Sequence, residues 1–253
     1  ITAILYSIQL YTDFSGYSHM AIGVGKILGF RITKNFNYPY FSRNISEFWR
    51  NWHMSLTSWL TDYVFMPLNI KFRNLGTFGM ILAIVINMVA VGIWHGPNWT
   101  FILFGLYNGL LFIPLILSGS FFKKKKLKTN KYKFPTFKDL LKIVGTFMLV
   151  TLGFVIFRAE NIGQSWEYIS SIFDLPFLSL SVFRSSGFYS AIPSMVFALV
   201  LFVIEWINKD SEYPLAKLGI KWKRPLRYAM YYAIIITIFW FGGKEQQFIY
   251  FQF

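Results

Sequence analysis

Six apolar stretches dominate this sequence, each approaching the roughly 20 mostly apolar residues that a helix needs to cross a bilayer. They are Ile1–Val24, Thr77–His95, Trp99–Leu117, Leu140–Phe157, Ala191–Ile207 and Leu226–Phe241. Such runs leave few ways to fold in water. Only 14% of the 253 residues are charged against 55% hydrophobic, where a soluble domain carries about 25% charged residues. The expected fold class is therefore all-α, a polytopic transmembrane helical protein with amphipathic or re-entrant helices. We expect one membrane-embedded domain over residues 1–253, with neither an internal repeat nor a second domain. Gly96-Pro97-Asn98 is a helix-stopping turn, so the second and third stretches should form a tight hairpin.

The net charge of +14 first suggests cytoplasmic loops rather than nucleic-acid binding. Gly25–Gly76, Ser118–Asp139 and the set Lys209 to Arg224 hold 20 Lys and Arg, whereas the Arg158–Arg184 loop and the tail hold 3. By the positive-inside rule this alternation describes six crossings with the rich loops cytoplasmic. The run Lys123 to Lys126 is most simply a topology signal that also suits anionic lipid. Without cysteine there is neither thiolate nucleophile nor disulfide. The chain opens inside an apolar run without Met, which suggests a longer protein whose N-terminal helices are missing here.

Gly25–Gly76 is too apolar for a plain loop. Asn44 can cap a helix with Glu47 three residues on, after which Phe48, Trp52, Leu56, Trp59 and Tyr63 recur at helical spacing. One amphipathic helix with an aromatic face is expected there, with His53 at the stripe's edge. A weaker stripe through Ile162, Trp166, Ile169 and Phe173 suggests a second helix lying in the opposite interface.

Ionisable groups at membrane depth are expensive, so each is a candidate for function. His95, in VGIWHGPNW, ends an apolar run beside a turn that leaves room for another molecule. A neutral imidazole can take a proton from a hydroxyl near pH 7. From spacing alone, a structural histidine bonded to a neighbouring helix is the stronger reading. The same holds for His53, in SEFWRNWHMSL, and for Asp13, a polar anchor among Ser15, Gly16 and Ser18. His19 reads as structural. The histidine spacing forms no metal signature, Gly23-Val24-Gly25 is no phosphate loop, and GLYNG at Gly105–Gly109 is a small-residue helix face rather than a nucleophile elbow.

Taken together, YTDFSGYSHMAIGVGKILGF (Tyr11–Phe30), NFNYPYFSRNISEFWRNWHMSLTSWLTDYVFMPL (Asn35–Leu68) and GIWHGPNWTFILFGLYNG (Gly92–Gly109) resemble the membrane-bound O-acyltransferase family. The resemblance is to its bacterial alginate O-acetyltransferase-type branch, C-terminal portion. LGFVIFRAENIGQSWEYI and the terminal FIYFQF add to it. The resemblance implies that His95 is the catalytic histidine and His53 the second polar position of the active centre. It also implies a multi-pass protein of the bacterial cell membrane that passes an acetyl group across the bilayer for O-acetylation of an extracytoplasmic polysaccharide. No tightly bound cofactor is expected, with acetyl-CoA or another acyl thioester as donor substrate. The partners implied are the lipid bilayer, the polysaccharide acceptor and an extracytoplasmic acetyltransferase-like protein. DFSGYS is closer to the polysaccharide-acetylating branch than to the D-alanyl transferase branch, which tends to have Ala for this Ser. LNIKFRN, after Pro67, departs from the Gly-Gly-Asn loop of many relatives. The alternatives are D-alanyl-type acyl transfer to a cell-wall polymer and, from other classes, a transporter relaying protons through Asp13, Glu205 or the histidines, or a non-catalytic assembly subunit.

Overall fold

The computed structural model describes residues 2–121, 134–173, 186–215 and 218–242. These residues are largely helical, with no strand among them. The helices are α1 (Thr2–Ile27), α2 (Ile45–Asn51), α3 (Met54–Leu60), α4 (Met66–Lys71), α5 (Gly76–Trp94), α6 (Trp99–Leu111), α7 (Ile113–Leu117), α8 (Phe137–Arg158), α9 (Ile162–Phe173), α10 (Ser186–Asn208) and α11 (Arg224–Phe241). The all-α polytopic expectation holds. Among the described residues four segments are long and apolar enough to cross a membrane: Arg73–Trp94, Trp99–Leu117, Phe137–Arg158 and Gly187–Asn208. Helices α1 and α11, which cover most of the other two expected spans, are not among those four. Polar residues explain the shortfall: α1 carries Thr12, Asp13, Ser15, Ser18 and His19, and α11 carries two arginines and three tyrosines. The Lys123–Lys126 run and the FIYFQF tail lie outside the described residues.

The chain divides into two compact units, Ile1–Ser190 and Ala191–Gln252. In the second, Phe197 of α10 meets Phe241 of α11 edge-on at 5.1 Å, and the Lys209 ammonium sits 3.5 Å above the Trp206 ring.

The first unit is built on the α5–α6 hairpin. Its helices touch backbone to backbone because glycine lines the contact. A Cβ on Gly92 would collide with the Phe101 carbonyl, and one on Gly105 with that of Met88. This is the close approach that small residues permit between membrane helices. The turn forms at the expected place: Gly96 takes φ +140°, and the Asn98 side chain accepts from the Thr100 N–H at 3.1 Å. Asn98 also donates to the Glu160 carbonyl at 3.0 Å, tying the turn to the α8–α9 corner. On the other side of α6, the Tyr107 hydroxyl donates to the Leu149 carbonyl of α8. Helix α8 in turn meets α1 through Ser7 and Thr151, 3.2 Å apart.

Residues 45–71 depart from expectation. Asn44 does cap α2, accepting from the Glu47 N–H at 2.8 Å, and Arg43 clamps the Glu47 carboxylate at 2.7 Å. The single amphipathic helix does not continue, however. It breaks at Trp52, which is extended, and at His53, which takes the left-handed conformation (φ 44°, ψ 55°). The aromatic stripe is consequently split. Phe48 and Trp52 are core residues, whereas Trp59 and Tyr63 are 55% and 68% exposed.

The break reverses the chain inside the bundle. Before it, Arg50 donates to the Phe121 carbonyl at 2.9 Å, and the Trp49 indole N–H donates to buried Asn108 at 3.2 Å. At it, Trp52 packs on Phe154 and His53 reaches Trp94, at the opposite end of the α5–α6 hairpin. After it, α3 and a π-turn over Thr61–Phe65 lead back, so that Phe65 returns to Phe121. This is a re-entrant hairpin with His53 at its apex. Backbone groups left open by the break are paired: Asn37 donates to the Asn51 carbonyl at 3.0 Å, and Met54 donates to the Asn35 carbonyl at 2.9 Å.

Candidate functional site

His95 stands at the C-terminal cap of α5, its own N–H bonded back to the Gly92 carbonyl at 3.0 Å. It is half-buried. Phe157 of α8 meets its ring edge-on at 4.8 Å, and Phe101 and Phe104 of α6 lie at 6.1 and 6.5 Å. Helix termination at Gly96-Pro97 holds the imidazole at the end of an apolar span.

His53 arrives from the other direction. Its ring is edge-on to Phe14 of α1 at 4.8 Å and to Trp94 at 5.6 Å. Trp94 is in turn 4.8 Å from the His95 ring, again near perpendicular. One indole therefore bridges two imidazoles separated by 42 positions in sequence. His53 is buried, and its Nδ1 has no hydrogen-bond partner. An unsatisfied buried acceptor or donor is costly, so its retention makes His53 a candidate for function. Burial pushes the His53 imidazole down to about 4, because an apolar surround disfavours the charged form. At neutral pH it is uncharged, able to accept or donate one hydrogen bond at each nitrogen.

The two histidines singled out in the sequence are thus brought together. Asp13 and His19 remain on α1, both half-buried. The LNIKFRN segment closes α4 and leads through a 3₁₀ turn (Arg73–Leu75) into α5. Among the described residues no group of three His, Cys, Asp or Glu could hold a metal ion. Sequence reasoning missed Trp94, Phe14 and Phe157 as partners of the imidazoles. The signal was available: Trp94 adjoins His95, Phe14 lies within DFSGYS, and Phe157 lies within FVIFR.

Comparison with known proteins bears on this arrangement. The family model for the membrane-bound O-acyltransferase (MBOAT) family matches residues 1–156. The probable alginate O-acetylase AlgI of Azotobacter vinelandii is 38% identical over 215 residues, covering 84% of this chain and 40% of that protein. The peptidoglycan O-acetyltransferase of Helicobacter pylori is 30% identical over 275 residues, covering 100% of this chain and 49% of that protein. The teichoic acid D-alanyltransferase of Streptococcus thermophilus is 37% identical over 167 residues, covering 60% of this chain and 39% of that protein. The chain spans between about two fifths and one half of the length of these relatives.

Proposed function

Starting from a chain that belongs to the membrane-bound O-acyltransferase family, a multi-pass helical membrane protein, we propose that it serves O-acetylation of an extracytoplasmic polysaccharide. The donor is acetyl-CoA or another acyl thioester on the cytoplasmic side. The bacterial cell membrane is its location, and an extracytoplasmic acetyltransferase-like protein is its partner.

One observation carries this reading: His53 and His95 meet at the same indole, at the Trp94 end of the α5–α6 hairpin. Chemistry at that point needs little. His95 takes the proton of an acceptor hydroxyl as its oxygen attacks the thioester carbonyl. The carbon–sulfur bond then breaks, and the thiolate leaves and recovers a proton. Because a thioester leaves readily, one base suffices. His53, uncharged and with Nδ1 open, orients the acceptor or polarises the carbonyl.

The relatives named for alginate and peptidoglycan acetylation cover more of this chain than the D-alanyl transferase does, and Ser15 within DFSGYS points the same way. The family match over residues 1–156 weighs against a transporter.

Membranes holding the full protein, supplied with acetyl-CoA and polysaccharide, provide the test. General-base catalysis contributes about 10²–10⁴-fold, so His95→Gln, which keeps size and hydrogen bonding but not basicity, should lower acetyl transfer by that order. Near-normal transfer by this variant would remove the base role. If His53→Ala abolished transfer while His95→Gln did not, the two roles would be exchanged.

A further inference from the structure

The left-handed turn at His53 has to be held by something, and the helix it begins does not hold it. A non-glycine residue at φ 44° is in a sparsely populated region and persists only where its surroundings over-determine it. Helix α3 has no side-chain cap of its own, since His53 occupies the cap position without making that bond. Yet the bond is made. Asn35, 18 residues earlier, places its Oδ1 where a capping oxygen belongs. It accepts from the Ser55 N–H at 3.3 Å and from the Ser55 hydroxyl at 2.6 Å.

Asn35 does more than cap. Its carbonyl accepts from the Met54 N–H at 2.9 Å, immediately after His53, and its Nδ2 donates to Ser18 of α1 at 3.4 Å. Two residues on, Asn37 donates its N–H to the Asn51 carbonyl at 3.0 Å and its side chain to Asn51 Oδ1 at 3.4 Å. The segment Asn35–Asn37 therefore grips the chain on both sides of the Trp52–His53 break. Between the two asparagines, Phe36 packs edge-on against Trp52 at 5.1 Å and against Phe14 at 5.1 Å. Phe14 is the α1 ring that touches His53.

We infer that Asn35 is a positioning residue: by capping α3 from outside the helix, it holds the left-handed turn that aims His53 at Trp94. Its consequence for turnover rests on the proposed role of His53 in acyl transfer. The grip itself does not, and the two can be separated by experiment.

The probe is diethyl pyrocarbonate, which modifies neutral imidazoles, applied to the full protein in membranes. Modification of His53 is read by peptide mass spectrometry against His19 of the same chain, and acetyl transfer from acetyl-CoA is measured in parallel. Asn35→Ala should raise the His53 modification rate about 10-fold. It should lower kcat about 10- to 100-fold, the scale set by small misplacements of reacting groups, with KM for the thioester unchanged. Asn35→Asp keeps the accepting oxygen at a helix start that favours negative charge. That variant should stay within about twofold of wild type on both measures. Ser55→Ala, which retains the N–H bond and threatens insertion least, should raise His53 modification by an intermediate amount.

His53 modified at the wild-type rate in Asn35→Ala and Ser55→Ala would overturn the inference. So would an Asn35→Asp variant that matches Asn35→Ala. If Asn35→Ala exposes His53 but turnover is unchanged, the grip stands and the part given to His53 in transfer falls.

Discussion

The α5–α6 hairpin and the re-entrant α2–α3 hairpin each deliver a histidine to Trp94, by opposite means. In α5–α6 the helices are regular, the contact is glycine against backbone, and His95 sits where the helix ends at a Gly-Pro turn. In α2–α3 a regular pattern is broken, the backbone at His53 is left-handed, and the orphaned groups are paired by a segment outside the helices. One histidine is placed by local rules and the other by a non-local clamp. A site assembled this way joins a rigid wall to an element whose geometry depends on distant contacts, and the two halves should respond differently to perturbation.

The largest effect is expected on the rigid side. A side chain at Gly92 has nowhere to go, because its first atom already meets the Phe101 backbone. Overpacking of this kind costs about 1–3 kcal/mol and more when backbone must move. Gly92→Val should therefore lower the thermal midpoint of the detergent-solubilised protein sharply and abolish the proposed acetyl transfer. Wild-type stability in that variant would mean that the hairpin contact is softer than its geometry states.

Acidification acts on both buried imidazoles, since burial holds His95 as well as His53 well below the ordinary value. His53 titrates near 4 in the folded protein against about 6.5 when unfolded. The unfolded state thus binds more protons between those values. The stabilising contribution is complete above pH 6.5 and is lost as pH falls toward 4, reaching ~2 kcal/mol at pH 5. Thermal inactivation measured at pH 7.5 and pH 5 should show this loss, and His53→Gln should reduce it, leaving the part that belongs to His95. Equal acid sensitivity in the two proteins would place the titrating group elsewhere.

A smaller effect belongs to Asn44, which caps α2 at 2.8 Å. Asn44→Ala should cost about 1 kcal/mol and loosen the approach to the apex while leaving α5–α6 intact. Hydrogen exchange can localise it: faster exchange confined to residues 45–51 is the expected pattern. Exchange rising equally across α5 would show that the two hairpins are not separable.

Much of the rigid half was legible because its determinants are close in sequence. Apolar length specified the spans of α5, α6, α8 and α10, Gly96-Pro97-Asn98 specified the turn, and Gly105 and Gly109 specified a small-residue face. Asn44 with Glu47 specified the start of α2. His95 and His53 could be chosen as candidates, since neutral imidazoles in apolar company are chemically conspicuous and the motifs around them are particular to a family.

The break at Trp52–His53 was not legible, because nothing in the local pattern stops a helix there. Phe48, Trp52, Leu56, Trp59 and Tyr63 keep helical spacing straight through it, and no glycine or proline marks the position. The reversal depends on partners remote in sequence: the backbone of Asn35 and Asn37, the Phe14 and Phe36 rings, and Trp94. Helical periodicity is a property of nearest turns, so sequence by itself determined where the helix would start and that the residues on either side of the bend would be helical. Only the tertiary structure decided that the helix should fold back on itself, because the backbone bonds and ring contacts at the bend exist only once the bundle has formed around it.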